Sequence, residues 1–113
     1  MTSAPDDSVV TIFRSRLRSD AEANGYTHLA DALERRARAM PGFVDFKTFS
    51  ASDGERVSIV VFDCEQHHNA WRDDPDHRAA QLRGRQEFYS DYAITVCRPT
   101  YRRKFTARPE PAV

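Results

Sequence analysis

The sequence lacks several features that mark particular classes of protein. Its two cysteines, Cys64 and Cys97, form no CxxC pair, so we expect neither a disulfide framework nor a cysteine-rich zinc site. Its 17 basic and 17 acidic residues cancel to a net charge of zero. Proteins that bind nucleic acid or anionic membranes usually carry a basic excess. We therefore expect no nucleic-acid partner.

Targeting and cofactor motifs are also absent. The first ten residues have neither the basic start nor the apolar centre of a signal peptide. No apolar run approaches the roughly 20 residues needed to span a membrane. The sequence contains no HExxH motif and no glycine-rich phosphate loop. We expect a cytoplasmic protein with no membrane partner, no metal site and no cofactor.

The length and composition fit one small soluble domain. The chain has 113 residues, of which 40% are hydrophobic and 30% charged, as is common for globular proteins. Prolines and charges near both ends predict a disordered lead at 1–8 and a flexible tail at 106–113. The folded domain is expected at 9–105.

Hydrophobic periodicity predicts the order β-α-β-β-α-β. Alternation indicates strands, whereas apolar residues three and four positions apart indicate helices. A capping-box pattern at Ser19–Glu22 predicts the start of the first helix. The predicted strands are Val9–Leu17, Phe43–Ser50, Glu55–Cys64 and Ser90–Pro99. This order is that of the α+β, ferredoxin-like split βαβ fold, with a four-stranded antiparallel sheet.

The segment Asp74–Tyr92 is the main candidate for a functional site. Asp74 can cap a helix that has Pro75 in its first position. A polar and aromatic stripe then recurs at four-residue steps, which places its members on one helical face: His77, Gln81, Arg85 and Tyr89. The stripe is either the wall of a pocket or a solvated surface.

Three stretches resemble the antibiotic biosynthesis monooxygenase family. They are MPGF at Met40–Phe43, AWRDDPDHRAAQ at Ala70–Gln81 and GRQEFYSDYAITVCR at Gly84–Arg98. The family has the dimeric α/β barrel fold, so the resemblance implies a homodimer built on a ferredoxin-like chain. It includes cofactor-independent quinone-forming monooxygenases, haem-degrading enzymes and members without an assigned substrate.

The resemblance to the quinone-forming members implies specific site residues. Those enzymes surround an aromatic polyketide with an Asn, a Trp, a Tyr and an Arg. Trp71 fits the tryptophan position, whereas His67 stands one turn earlier, where the Asn is expected. His77 stands where the Tyr would fall, and Arg85 is the nearest candidate arginine. The alternatives are a core role for Trp71 and a solvated first-turn position for His77.

The haem-degrading members provide a weaker match. They use an Asn on the first strand and a haem-ligating His on the last helix. The predicted strand Val9–Leu17 contains no Asn, and Gln81 stands near the expected position of that His. The sequence therefore disfavours haem degradation.

The leading hypothesis is an enzyme that oxidises an electron-rich aromatic or enolic small molecule with dioxygen. Its catalytic residues would be His77, Arg85 and Trp71, and its substrate-binding residues His67, Gln81 and Tyr89. A small aromatic or polyketide-like molecule would be the ligand. The alternative is a non-catalytic, ligand-binding or stress-linked dimer with the same fold. In both cases, apolar residues on both faces of the predicted strands favour a homodimer.

Overall fold

The computed structural model describes residues 6–109. The disorder predicted for residues 1–5 and the flexibility predicted for residues 110–113 lie outside the described residues. The division into lead, domain and tail stays a prediction. Among the described residues, no helix is both long enough and apolar enough to cross a bilayer.

The strands and helices follow the predicted order. The strands are β1 (Val9–Leu17), β2 (Phe43–Ser50), β3 (Arg56–Phe62) and β4 (Tyr89–Cys97). The helices are α1 (Tyr26–Ala39), α2 (Glu65–Arg72) and α3 (Pro75–Arg83), followed by a π-helical segment, Gly84–Phe88.

The strands form one antiparallel sheet in the order β2-β3-β1-β4. Val9 pairs with Phe62 across the central strands, and Thr11 pairs with Val96 of β4. The predicted α+β, ferredoxin-like fold is confirmed. Strand alternation sends Thr11 and Val60 to the face that meets the helices, where both are buried.

An aromatic cluster joins this face of the sheet to α2. Phe62 is fully buried, and its ring stacks on Trp71 with 5.3 Å between the ring centroids. Ala37 of α1 and Val60 of β3 complete this core, and Phe43 packs edge-on against Phe62. Burying such rings stabilises the fold by roughly 25 cal/mol per Å² of apolar surface. The cluster fixes α2 and therefore the side chains that α2 presents.

The capping-box prediction for the first helix is wrong. The chain makes turns after β1, and α1 begins at Tyr26, after Gly25 has taken a positive φ of 93°. The Glu22 carboxylate accepts a hydrogen bond from the backbone N–H of Thr27, at 3.1 Å. Glu22 therefore lies before the helix and accepts a hydrogen bond from an N–H of the first turn. In a capping box, by contrast, the Glu is itself a residue of the first turn.

The helix predicted to begin after Asp74 divides into two parts. Helix α3 ends at Arg83, and the π-helical segment then inserts a wider turn before β4. The wider turn changes the phase of the polar stripe, and Tyr89 becomes the first residue of β4. The capping role of Asp74 is confirmed, because its carboxylate accepts the His77 N–H at 3.1 Å.

Asp74 also connects α3 to α1. Its buried carboxylate accepts two hydrogen bonds from the Arg36 guanidinium, one of them at 2.7 Å from Nε. The Arg36 hydrogen bond keeps the pKa of Asp74 below its usual value. Since the folded-state pKa is depressed, this contribution to stability is present above about pH 4 and is lost as pH falls through the folded-state pKa.

Replacing Asp74 with alanine is expected to lower the free energy of unfolding by about 2 kcal/mol, because a helix cap and a charged hydrogen-bond pair are both lost. Urea unfolding at pH 7 measures this change. Asp73→Ala is the matched control, because Asp73 is an exposed neighbour that pairs with Arg72 and Arg78. Equal destabilisation by both variants would contradict the role assigned to Asp74.

Candidate functional site

A cavity of about 560 Å³ lies between the sheet and the helices. This volume is typical of pockets that bind small molecules. Short polar side chains of the sheet form its floor: Thr11, Ser15, Thr48 and Ser58. Aromatic rings form much of its wall: Phe13, Tyr26, Phe46, Trp71, Phe88, Tyr89 and Tyr92. The cavity is therefore suited to a flat apolar ligand with a few polar groups.

The structure brings most of the sequence-predicted site residues together. Trp71, His77, Gln81, Arg85 and Tyr89 all line the cavity. A polar face on α3 therefore forms part of a pocket wall, although the π-helical segment supplies Arg85. His67 does not line the cavity.

Trp71 and His77 form the centre of the site. Their rings stack with 4.5 Å between centroids and an interplanar angle of 23°. Because Trp71 also stacks on Phe62, the indole lies between the hydrophobic core and the imidazole. Trp71 is thus both a core anchor and a pocket wall, and the two sequence interpretations describe two faces of one ring.

The surroundings of His77 favour a neutral imidazole with a free basic nitrogen. Nδ1 lies 3.4 Å from the carbonyl oxygen of Arg72, which can only accept, so Nδ1 carries the proton. Nε2 then holds the lone pair. Burial lowers the pKa of His77 below 6.5. At neutral pH His77 can accept a proton, as a general base must.

His68 is a cavity residue that the sequence analysis missed. It is buried, and its Nε2 lies 3.2 Å from the Thr11 hydroxyl, while Nδ1 lies 3.0 Å from Asn69 Oδ1. With Nδ1 donating to Asn69, Nε2 accepts from Thr11, so both nitrogens of His68 are engaged. His68 orients the wall, whereas His77 keeps a nitrogen available. The spacing of His68 three residues before Trp71 could have indicated their shared face.

A second missed group lies along the same sheet face. Arg56 lines the cavity, and its guanidinium carbon lies 5.4 Å from the centre of the Tyr26 ring. Arg56 alternates with Ser58 and Val60 on β3, and that alternation could have placed it on the helix side. Arg85 lies nearby, with Nη1 3.3 Å from the Tyr92 hydroxyl.

Tyr89 supplies a neutral hydroxyl to this end of the cavity. Its ring packs edge-on against Phe13, at 5.3 Å between centroids, and also contacts Tyr26 and Tyr92. Burial raises the pKa of the Tyr89 phenol well above 10. Tyr89 therefore stays protonated at neutral pH and can donate a hydrogen bond.

His67 occupies a separate place on the surface. Its Nδ1 lies 2.6 Å from Asp63 Oδ1 and 3.3 Å from Cys64 Sγ, and the residue is absent from the cavity wall. We therefore leave His67 out of the proposed binding site. Asp63, Cys64 and His67 are, among residues 6–109, the group whose donor atoms could converge on a metal ion. Their hydrogen bonds to one another explain the convergence without an ion.

Comparison with known proteins supports the fold assignment. The candidate antibiotic biosynthesis monooxygenase of Deinococcus radiodurans superposes with a TM-score of 0.75 at 12% identity, covering 88% of this chain and 99% of its own. Rv0793 of Mycobacterium tuberculosis gives 0.74 at 22% identity, covering 86% of this chain and 99% of its own. SnoaB of Streptomyces nogalater, a cofactor-independent oxygenase, gives a TM-score of 0.64 at 19% identity, covering 83% of this chain and 96% of its own.

Sequence comparison adds one relative. The uncharacterized protein YqjZ of Bacillus subtilis is 26% identical over 105 residues, covering 93% of this chain and 91% of its own. No family model matches the sequence. The resemblance to the antibiotic biosynthesis monooxygenase family is thus confirmed at the level of the fold.

The pKa of His77 is expected to lie below 6.5, because its half-buried ring has lost part of the hydration that stabilises the imidazolium ion. An NMR titration of the histidine C2–H signals from pH 4 to 8 measures it. His77→Gln assigns the signal by its disappearance. A midpoint at or above 6.5 would show that the ring is hydrated and would remove this support for a neutral base.

Proposed function

We propose that this protein is a cofactor-independent monooxygenase that converts an electron-rich phenol or enol into a quinone with dioxygen. The observation that carries the proposal is the Trp71–His77 stack, which sets a neutral imidazole in the wall of an aromatic cavity. The substrate would be a flat, fused-ring molecule of the polyketide type. Such a ligand suits the size of the cavity and its aromatic wall.

The first step is removal of a phenolic or enolic proton. Nε2 of His77, left with its lone pair by the Arg72 contact, accepts this proton directly or through one water. The stack on Trp71 holds the ring in place for the transfer. The product is an electron-rich anion inside a largely apolar cavity.

The anion then reduces dioxygen. One electron passes to oxygen, and the two radicals combine to form a carbon–oxygen bond. The resulting peroxide anion takes back the proton held by His77 and becomes a hydroperoxide. Loss of the remaining ring hydrogen from that carbon as a proton, with cleavage of the oxygen–oxygen bond, leaves a carbonyl. The departing hydroxide takes up a proton and becomes water. One oxygen atom of dioxygen thus enters the product and the other leaves as water.

Polar residues beside the aromatic wall would stabilise the anion. The Arg85 guanidinium, which has no carboxylate partner within 4.0 Å among the described residues, can provide a charge-assisted hydrogen bond. The protonated Tyr89 phenol can donate a second hydrogen bond. Gln81, which stands between His77 and Arg85 in the sequence, also lines the cavity and can bind a substrate oxygen. Preorganised donors of this kind stabilise developing negative charge.

The comparison with SnoaB supports this proposal, since that protein of the same fold is a cofactor-independent oxygenase. A second candidate is a non-catalytic ligand-binding protein. It is favoured by the departure from the quinone-forming pattern at His67, which stands in place of the Asn and lies outside the cavity. The two candidates share the ligand class and differ in whether oxygen is consumed.

We further propose that the chain acts as a homodimer in which a second copy covers the other face of the sheet. That face carries Val10, Ile12, Val57 and Ile59, and Phe49 beside them is 48% exposed. The segment after β4 adds two exposed rings, with Tyr101 77% and Phe105 87% exposed. A second copy would bury these side chains, and about 800 Å² per chain is typical of a specific interface.

Oxygen uptake with hydroxyanthrones as substrates is expected to require His77. Replacing it with glutamine should lower kcat about 100-fold or more, because a general base is lost. His28→Gln is the matched control, since His28 is exposed on α1 and lies outside the cavity wall. Tight binding without oxygen uptake by the unaltered protein would favour the ligand-binding candidate.

Sedimentation at micromolar concentration is expected to give twice the mass of one chain. Ile59→Lys should give a single-chain mass, because it places a charge in the centre of the proposed interface. Leu82→Lys, on the exposed side of α3, should leave the dimer intact. A folded monomer of unaltered sequence would refute the dimer.

A further inference from the structure

We propose that Arg56 binds a carboxylate of the ligand, at the end of the cavity remote from the Trp71–His77 pair. The inference rests on the proposed function in one respect, namely that the cavity is the ligand site. It goes further in naming the ligand class: a fused-ring aromatic carboxylate rather than a neutral phenol. Four observations carry it.

The first is the unmatched charge of Arg56. Four arginines line the cavity: Arg56, Arg72, Arg78 and Arg85. Arg72 and Arg78 both pair with Asp73, and Arg85, which has no carboxylate partner either, contacts the Tyr92 hydroxyl at 3.3 Å. Among residues 6–109, Arg56 makes no ion pair within 4.0 Å, and its Nε is a buried side-chain nitrogen without a hydrogen-bond partner.

The second observation is that the nearby acidic side chains either bind other residues or are exposed to solvent. The Glu22 carboxylate accepts hydrogen bonds from the Thr27 N–H and hydroxyl. Glu34 lines the cavity but pairs with Arg38, and Asp31 is exposed to solvent. The charges of Glu22 and Arg56 attract each other, but among the described residues none of these three acids accepts a hydrogen bond from the Arg56 guanidinium. The guanidinium donors therefore remain available to a ligand.

The third is the way Arg56 is held. Its guanidinium carbon lies 5.4 Å from the centre of the Tyr26 ring, a cation–π contact that stabilises the charge but engages none of its N–H donors. Nε is closed to a probe the size of water, so a ligand in the cavity would bind the terminal Nη groups, which make no side-chain hydrogen bond among residues 6–109. A carboxylate matches the planar fork of guanidinium donors better than a single hydroxyl does.

The fourth is the separation from the proposed base. Arg56 pairs across the sheet with Ser15, whereas His68, beside Trp71, contacts Thr11. Thr11 and Ser15 are four residues apart on β1, which corresponds to about 13 Å of extended strand. A ligand that contacts both ends therefore needs a carboxylate on one outer ring and its reactive hydroxyl on the other.

Ligand binding can be followed through the fluorescence of Trp71, because the chain has one tryptophan and it lines the cavity. Two probes are compared: anthraquinone-2-carboxylate and the neutral anthraquinone-2-carboxamide. Wild-type protein is expected to bind the carboxylate at least tenfold more tightly than the amide. Isothermal titration calorimetry checks both dissociation constants independently of optical artefacts.

Arg56→Gln is expected to abolish this preference while leaving the affinity for the amide nearly unchanged. Arg56→Lys keeps the charge and should retain part of the preference. Arg35→Gln is the matched control, because it removes one positive charge from the exposed side of α1 and should change neither affinity. Circular dichroism confirms that each variant is folded.

Equal binding of the two probes by the wild-type protein would overturn the proposal, and this holds even where Arg56→Gln does not fold. A preference that survives in folded Arg56→Gln would also overturn it. Failure of the oxygenase proposal gives a different result, namely no oxygen uptake while the carboxylate preference and its dependence on Arg56 persist.

Discussion

The stack of Phe62, Trp71 and His77 is the contact on which the site depends. Phe62 is the fully buried ring of the sheet, and Trp71 rests on it with 8% of its surface exposed. His77 then rests on the outer face of the indole. One series of rings thus transmits the rigidity of the core to a titratable group, so that the base does not depend on a mobile loop.

Asp74 fixes the same imidazole from the backbone side. Its carboxylate binds the His77 N–H and the Arg36 guanidinium, which sets both the start of α3 and the distance of α3 from α1. Because the carboxylate is buried and paired, α3 has little freedom to rotate about its axis. The helix itself is polar and buries only Ala80, so this charged anchor replaces the apolar face by which helices usually pack.

The sequence predicted the fold because each element has a clear period and a defined end. Pro75 after Asp74, and the Met40–Phe43 turn, mark boundaries that backbone sterics enforce. The sequence alone could not distinguish His67 from His68, because both lie within about one helical turn of Trp71. Adjacent residues on a helix point about 100° apart, so only one of them can face the cavity as Trp71 does. Tertiary packing decides between them: Asp63 and Cys64 engage His67, and the Thr11 hydroxyl engages His68.

The cavity itself follows from side-chain size on the sheet. A packed core would place large aliphatic residues beneath α1 and α3, whereas the sheet offers Thr11, Ser15 and Ser58 there, with Thr11 and Ser15 buried. Period-two alternation identifies the inward face but not the volume left above it, which also depends on the helices. The wider turn at Gly84–Phe88 matters here, because it brings Tyr89 against Phe13 and Tyr26 as a wall. Small floor residues and a displaced aromatic wall together leave a space for a ligand.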